Sequence, residues 1–274
     1  MPCRTAWGSR MKLTLIIATG NENKVREIRE ILDDPELTVI SMKQAGIHSD
    51  PEENGTTFAE NALIKARAAA EQAFGPDGAL PTAQTPAVVL ADDSGLVVDA
   101  LGGAPGIHSA RFLGRDTDYD YKMRYILNEL RDVKGEARSA RFTCACAAVF
   151  PTQLPAFHSG DAAADPESGA GNEKTPGSTT PDGGDEMPCR CAETEDVRTV
   201  PGNPALSGFV VTRSMEGRIA YEIAGENGFG YDPFFYLPEY GKTSAEITEE
   251  EKNAVSHRGK AFRAMLKKLH AILN

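Results

Sequence analysis

Four groups of residues in this chain have the types and spacing to handle phosphate, a hard cation and a planar ring. Thr19-Gly20-Asn21-x-x-Lys24 follows the apolar run Leu13 to Ala18 and opens a helical pattern. At such a turn the free backbone N–H groups and the positive end of the helix dipole attract an anion. Gly20 lets a ligand approach the backbone closely, and Lys24 adds a full positive charge. The longer glycine frame of a Walker A loop is missing, and such a turn taken alone is as often structural as functional. Asp50, Glu52 and Glu53 cluster in a polar loop. Asp92 and Asp93 close the apolar run Val88 to Ala91, ahead of Ser94-Gly95. Carboxylates at a strand end facing a cleft suit a hard cation. Any one of these acids singly reads as part of a solvated loop, but two clusters beside a phosphate turn favour a metal.

The third group is Gly228-Phe229-Gly230-Tyr231-Asp232-Pro233. Phe229 or Tyr231 is suited to stacking on a base, and Asp232 to accepting hydrogen bonds from base N–H groups. The plainer reading is a β-turn with core aromatics. The fourth is Lys252 with Ser256-His257-Arg258, the latter three at a helix start where Ser256 reads most simply as a cap.

The elements that must carry these groups are legible from periodicity. Leu13 to Ala18 predicts a buried strand. Val25, Ile28, Ile31 and Leu32 predict a helix capped by Asn21 or Asn23. A strand is expected near Thr38 to Ser41. Thr57 and Glu60 have capping-box spacing, and Ala59, Ala62, Leu63, Ala66, Ala70 and Ala73 then form one helical face. Gly75 to Pro86 is a turn-rich connector. Val88 to Ala91 is expected to end at the two acids, with extended chain resuming at Leu96 to Val98 and a tight loop at Gly102 to Gly106. Met123, Ile126, Leu127 and Leu130 stripe a helix from Tyr121 to Leu130. Arg141 to Phe150 alternates as a strand, with Cys144 and Cys146 as thiols on one side. Gly208 to Thr212 and Arg218 to Ile223 are expected as strands joined by a turn at Met215-Glu216-Gly217. Phe262, Met265, Leu266 and Leu269 form the face of a final helix from about Ser256. Early alternation of strand and helix, then strands in succession, predicts a mixed α/β sheet.

Residues 12–274 read as a single domain after a flexible extension of residues 1–11, with Met1 and Met11 both open as starts. Residues 151–205 are rich in Gly, Pro, Asp, Ser and Thr, and are expected to be a disordered insertion because they offer too little apolar surface to offset ordering entropy. Cys189 and Cys191 within it are a weak zinc signal without a second ligand pair. No internal repeat is present. The 274 residues, with 41% hydrophobic and 25% charged, can build a sizeable core. A net charge of −11 argues against a general nucleic-acid binder, and no apolar run reaches the length of a membrane span. A reduced cytoplasmic protein is expected.

Together these groups resemble the inosine triphosphate pyrophosphatase family of the Ham1 type. The matching stretches are Ala18 to Asn21 with Lys24, Glu52 to Phe58 with Glu60-Asn61-Ala62, Ala91 to Leu96, and Gly102 to Ile107 with Ser109-Ala110-Arg111. Gly228 to Pro233, Gly241-Lys242-Thr243, Glu251-Lys252 and Ser256 to Gly259 match as well. The resemblance implies an elongated central sheet with flanking helices, two lobes with the active-site cleft between them, and a homodimer. It implies hydrolysis of damaged purine nucleotides, dITP, ITP and XTP, to monophosphate and pyrophosphate with Mg²⁺. Asp93 matches the family's proton acceptor. Glu52 or Glu53 with Asp93 would hold the metal, directly or through its waters. Thr19, Gly20, Asn21, Lys24 and Lys252 would hold phosphates, with Ser94 beside them. Phe229, Gly230, Tyr231, Asp232, His257 and Arg258 would enclose the base. Arg258 or a backbone N–H would favour a 6-oxo purine. The rivals are a Maf-like or dUTP-like pyrophosphatase and a nucleotide-binding regulator without turnover.

Overall fold

The computed structural model describes residues 13–75, 78, 86–153 and 197–273. The extension of residues 1–11, most of the connector between Gly75 and Pro86, and Cys189 and Cys191 lie outside them.

Strand β1 (Leu13–Ile17) is the parallel neighbour of both β2 (Leu37–Ser41) and β3 (Ala87–Val98). Its residues are buried on both faces, Ile16 in one core and Leu13, Leu15 and Ile17 in another. A strand covered on both sides reads as a continuous apolar run rather than an alternation. Strand β4 (Ser139–Pro151) runs antiparallel to β3, and β6 (Asn203–Ile219) antiparallel to β4. Short strands β5 (Arg198–Val200), β7 (Phe235–Leu237) and β8 (Lys242–Thr243) complete a mixed sheet of order β2-β1-β3-β4-β6-β7-β8, with β5 on β6.

Helix α1 (Glu22–Ile31) and the C-terminal helix α5 (His257–Leu273) cover one face. Helix α2 (Phe58–Phe74) covers the other. The alanines Ala62, Ala66, Ala69, Ala70 and Ala73 are all buried, so α2 lies close on β3 and β4. Its expected capping box is present, with the Glu60 N–H donating to Thr57 Oγ1 at 3.1 Å and Glu60 returning the contact to the Thr57 N–H. A third core gathers Met123 and Ile126 of α3 (Tyr119–Glu129) and its C-cap Leu130 with Leu96, Phe142, Met215, Phe234 and Phe235. Helix α4 (Glu249–Val255) precedes α5. The mixed α/β sheet is what the periodicities predict, and the flanking helices are what the resemblance implies.

Three local expectations are corrected. Asp92 and Asp93 do not end a strand; they lie inside β3, opposite Cys146 and Ala145 of β4. The long strand β4 pairs with β3 out to Val98, while β1 stops opposite Leu90. The acids therefore stand just past the end of β1 without ending their own strand. Met215-Glu216-Gly217 is not a turn, since all three pair with β4 inside a continuous β6. Gly217 is required by packing rather than by a reversal, because a Cβ there would lie 2.6 Å from the Tyr236 carbonyl oxygen. Part of the segment 151–205 expected to be disordered is ordered. Arg198–Val200 and the residues from Asn203 are paired strands, with Val200 buried.

These boundaries predict two outcomes for deletion. Replacing residues 154–196 by a short Gly/Ser linker is expected to leave the melting temperature unchanged, because closure entropy varies only slowly with the length of a connection. Replacing 151–205 removes β5 and the start of β6 and lowers the melting temperature. Thermal melts of the two deletions compare them directly.

Candidate active site

A strand directs successive side chains to opposite faces, so adjacent Asp92 and Asp93 enter different environments. Asp92 points to the side of α1 and α5. Lys24 Nζ donates to its two oxygens at 3.2 and 3.0 Å, and Ser94 Oγ to Oδ2 at 3.0 Å. Arg258 approaches Oδ2 with Nε at 3.4 Å and Nη2 at 3.5 Å, and donates from Nη1 to Glu27 at 2.6 Å. The Asp92 side chain is only 1% exposed. Burial opposes its charge, but Lys24, Arg258 and Lys65 outweigh burial and hold the carboxyl well below the usual carboxylate range. Burial likewise opposes the charge of Arg258, and Asp92 and Glu27 more than offset it, raising its pKa. Asp92 is thus an anion at neutral pH, committed to cations.

Lys24 reaches Asp92 from the turn where β1 becomes α1. The Lys24 N–H donates to Asn21 Oδ1 at 3.3 Å and the Asn21 N–H to Thr19 Oγ1 at 3.2 Å, so Asn21 supplies the cap. Gly20 is exposed, and a Cβ added there would meet nothing within 4 Å. The backbone at this turn is open to an incoming anion.

Asp93 points to the α2 side. Asn61 Nδ2 donates to it at 3.2 Å and Lys65 Nζ at 3.4 Å, and Lys65 also lies 3.5 Å from Glu53. Burial raises the Asp93 pKa; Lys65 opposes this and Glu53 adds to it, and the net direction is upward. Burial works against the Lys65 charge, yet Asp93, Asp92 and Glu53 raise its pKa overall. Glu53 is therefore the loop acid that converges with Asp93, whereas Glu52 is exposed with no ion pair among the described residues. Two carboxylates reaching one ammonium form an all-oxygen donor pair, a chemistry that suits a hard divalent cation. Among the described residues no group of three or more His, Cys, Asp or Glu gathers as a full metal cage.

The glycine-rich loop lies near the start of α5. Phe229 is 51% exposed, with Lys252 Nζ 5.0 Å and the Arg258 guanidinium 5.6 Å from its ring centre. Tyr231 is 3% exposed; its hydroxyl donates to the Ser109 carbonyl at 3.0 Å and its ring meets Tyr119 edge-on. Of the two aromatics, only Phe229 presents a face for stacking. Asp232 is also buried with both oxygens engaged: Oδ2 accepts from Lys252 at 2.6 Å and the Phe229 N–H at 2.8 Å, and Oδ1 from Ser244 at 2.7 Å. It anchors the loop and Lys252 rather than offering a free acceptor, and it holds Lys252 at the Phe229 ring. Gly228 and Gly230 have positive φ of 79° and 68°, and a Cβ on Gly228 would collide with the Asp232 carboxylate. His257 stacks on Phe142 with ring centres 4.9 Å apart, and its buried Nδ1 has no hydrogen-bond partner. Burial, then Arg258 and Lys252, hold its pKa well below the ordinary value, so the ring is neutral at pH 7.

Ser256 caps α5 by accepting the Gly259 N–H at 2.9 Å. Cys144 and Cys146 are buried free thiols on the Asp92 side of β4. Burial pushes Cys144 up to about 12 and Cys146 well above its ordinary value.

Three participants carried no sequence expectation of their own: Lys65, Asn61 and Glu27. The available signal was spacing. Asn61 and Lys65 are four apart on α2 beside its alanine face, and Lys24 and Glu27 are three apart on α1, so each pair shares a helix face.

The Ham1 family pattern matches residues 15–163 and 201–268, which include every motif above. The chain belongs to the Ham1 family. It is 36% identical over 255 residues to the dITP/XTP pyrophosphatase of Bacillus anthracis, covering 93% of this chain and 95% of that protein. With the dITP/XTP pyrophosphatase of Yersinia pestis it shares 38% identity over 252 residues, 92% of this chain and 95% of the relative. The solved Ham1 protein of Coxiella burnetii superposes with a TM-score of 0.63 at 32% identity, covering 94% of this chain and 98% of that one.

The opposite environments of the two aspartates give opposite expectations for stability. Asp92→Asn takes the carboxylate from Lys24 and leaves Arg258 with Glu27 alone, and costs about 3–5 kcal/mol, as for a broken buried ion pair. Its depressed pKa means this contribution is present above the ordinary carboxylate range, about pH 4, and is lost as the pH falls below it. The Asp93 pKa is raised, so its ionised form weighs against the fold, and Asp93→Asn in metal-free buffer is neutral or stabilising at pH 7. Urea melts of the two variants give the comparison.

Proposed function

We propose that this protein hydrolyses dITP, ITP and XTP to the monophosphate and pyrophosphate, with Mg²⁺ as cofactor, and so clears damaged purine nucleotides from the pool. The observation that carries the reading is the division of labour between adjacent acids. Asp92 is neutralised by cations at an anion-ready turn, and Asp93 is left with a raised proton affinity beside a second carboxylate. Two relatives covering over nine-tenths of this chain bear the name dITP/XTP pyrophosphatase.

In this reading the triphosphate lies along the Thr19-Gly20-Asn21 turn, whose N–H groups bind its oxygens. Lys24 exchanges a carboxylate oxygen of Asp92 for a phosphate oxygen. Arg258 and Ser94 keep Asp92 satisfied when Lys24 turns away. Glu53 and Asp93 would hold Mg²⁺, which when bound supplies neutralisation of the phosphate charge. Asp93 accepts the proton of the water that attacks the α-phosphorus, a task suited to a carboxylate with a raised pKa. Phe229 stacks on the base. Neutral His257 brings no second positive charge beside Arg258. Arg258 retains N–H groups beyond those given to Glu27 and Asp92, and with a backbone N–H it matches a 6-oxo group. Adenine's 6-amino group would leave such a donor unpaired in a dry site. The site lies in a cleft between two lobes, and the enzyme works as a cytoplasmic homodimer. Among the described residues no helix is long and apolar enough to cross a membrane.

Pyrophosphate release from a panel of ITP, XTP, dUTP and ATP tests the reading; preference for dUTP or ATP would overturn it. Asp93→Asn is expected to lose about 100-fold or more in kcat, the scale of general-base catalysis, while still binding ITP. Substantial turnover at saturating Mg²⁺ would remove Asp93 as the base. Activity is expected to vanish in excess chelator, to return with Mg²⁺, and to be supported weakly by Ca²⁺, whose looser coordination suits a phosphate bridge poorly.

A further inference from the structure

We infer that Asn61 is a positioning residue that sets the separation of the Glu53 and Asp93 carboxylates, and so governs how tightly this site takes a divalent cation. The inference rests on the reading of those two acids as metal ligands. Asn61 is fully buried on α2, and both ends of its amide are engaged. Nδ2 donates to Asp93 Oδ2 at 3.2 Å, and Oδ1 accepts the Gly55 N–H at 2.9 Å. Asp93 belongs to β3, and Gly55 lies two residues after Glu53 in the loop leading to α2. One amide therefore ties the loop to the strand through the helix.

The tie is close. A Cβ on Gly55 would lie 2.6 Å from Asn61 Oδ1 and 2.8 Å from Glu60 Cβ, so residue 55 has no room for a side chain. The next two residues are gripped from the same helical turn: the Thr56 and Thr57 N–H groups donate to Glu60 Oε2 at 2.6 and 3.2 Å. Only Asn54 separates this clamp from the loop acid Glu53. Two carboxylates that share a cation repel each other without it, and Lys65 at 3.5 and 3.4 Å offsets only part of that repulsion. With Asn61 removed, Asp93 gains rotamers and the loop gains play, and the cation must gather both acids again. Partners behind metal ligands typically matter by about 10–100-fold in affinity or activity.

Mn²⁺ alone serves as the probe, its binding to the nucleotide-free full chain followed by loss of the free-ion EPR signal. Asn61→Ala is expected to weaken Mn²⁺ binding by about 10–100-fold. The Mg²⁺ concentration for half-maximal ITP hydrolysis should rise in step, with kcat recovering at high Mg²⁺. Gln72→Ala is the companion variant: it removes another helix-to-loop tie, the bonds of Gln72 to the His48 N–H and carbonyl at 3.1 and 2.8 Å, and should leave Mn²⁺ binding unchanged. If Asn61→Ala fails to fold, Gly55→Ala strains the same link from the loop side and must weaken Mn²⁺ binding instead. Equal Mn²⁺ affinity in the wild type and the folded variant, with only a lower melting temperature, overturns the inference. Absence of Mn²⁺ binding by the wild type overturns the metal reading itself.

Discussion

A carboxylate in the middle of a buried strand must be compensated, and meeting that need for Asp92 organises much of this molecule. An isolated ion in such a place would cost several kcal/mol even after relaxation. Here it is answered by Lys24 from the first helix and Arg258 from the last, with Glu27 balancing the guanidinium. The ion network therefore joins residues more than two hundred positions apart and holds α1 and α5 over the same strand. The cation that compensates Asp92 in the resting fold is also the one best placed to meet an incoming anion. In the proposed reading, stability and phosphate binding thus draw on the same charge.

The period-2 geometry of β3 makes the second acid different from the first without any change of residue type. One step along the chain turns Asp93 through the sheet into an environment built by α2 and its preceding loop. There burial outweighs the nearby ammonium, and Glu53 adds a like charge. Two adjacent aspartates thus acquire different proton affinities from nothing more than the pleat.

Much of this was legible in the sequence, because the motifs sit at element junctions with strong local signals. The strand-to-helix turn at Thr19 to Lys24, the capping box at Thr57 and Glu60, and the Ser256 cap are all local features. The misreadings were non-local. Asp92-Asp93 looked like a strand end because charge usually marks one, and only the long pairing with β4 keeps the strand going. Gly217 looked like a turn because the close approach of Tyr236 is invisible along the chain. Phe229 and Tyr231 are equivalent by composition, and burial separates them. Lys65 was passed over, and Asn61 was given no role within its motif, because one polar residue beside an alanine face is ordinary until the strand it faces is known.

The two buried thiols have a bearing on the conditions in which such an enzyme works. Hypoxanthine and xanthine arise when exocyclic amines are lost, and nitrosating species that drive this chemistry also attack sulfur. Cys146 pairs directly across the strands with Asp92, one position from the candidate base, so its modification would swell the sheet at its most sensitive point. Complete burial and strongly raised thiol pKa values keep the reactive thiolate from forming at either residue. The packing of the sheet thus keeps both sulfurs beside the acids out of contact with solvent.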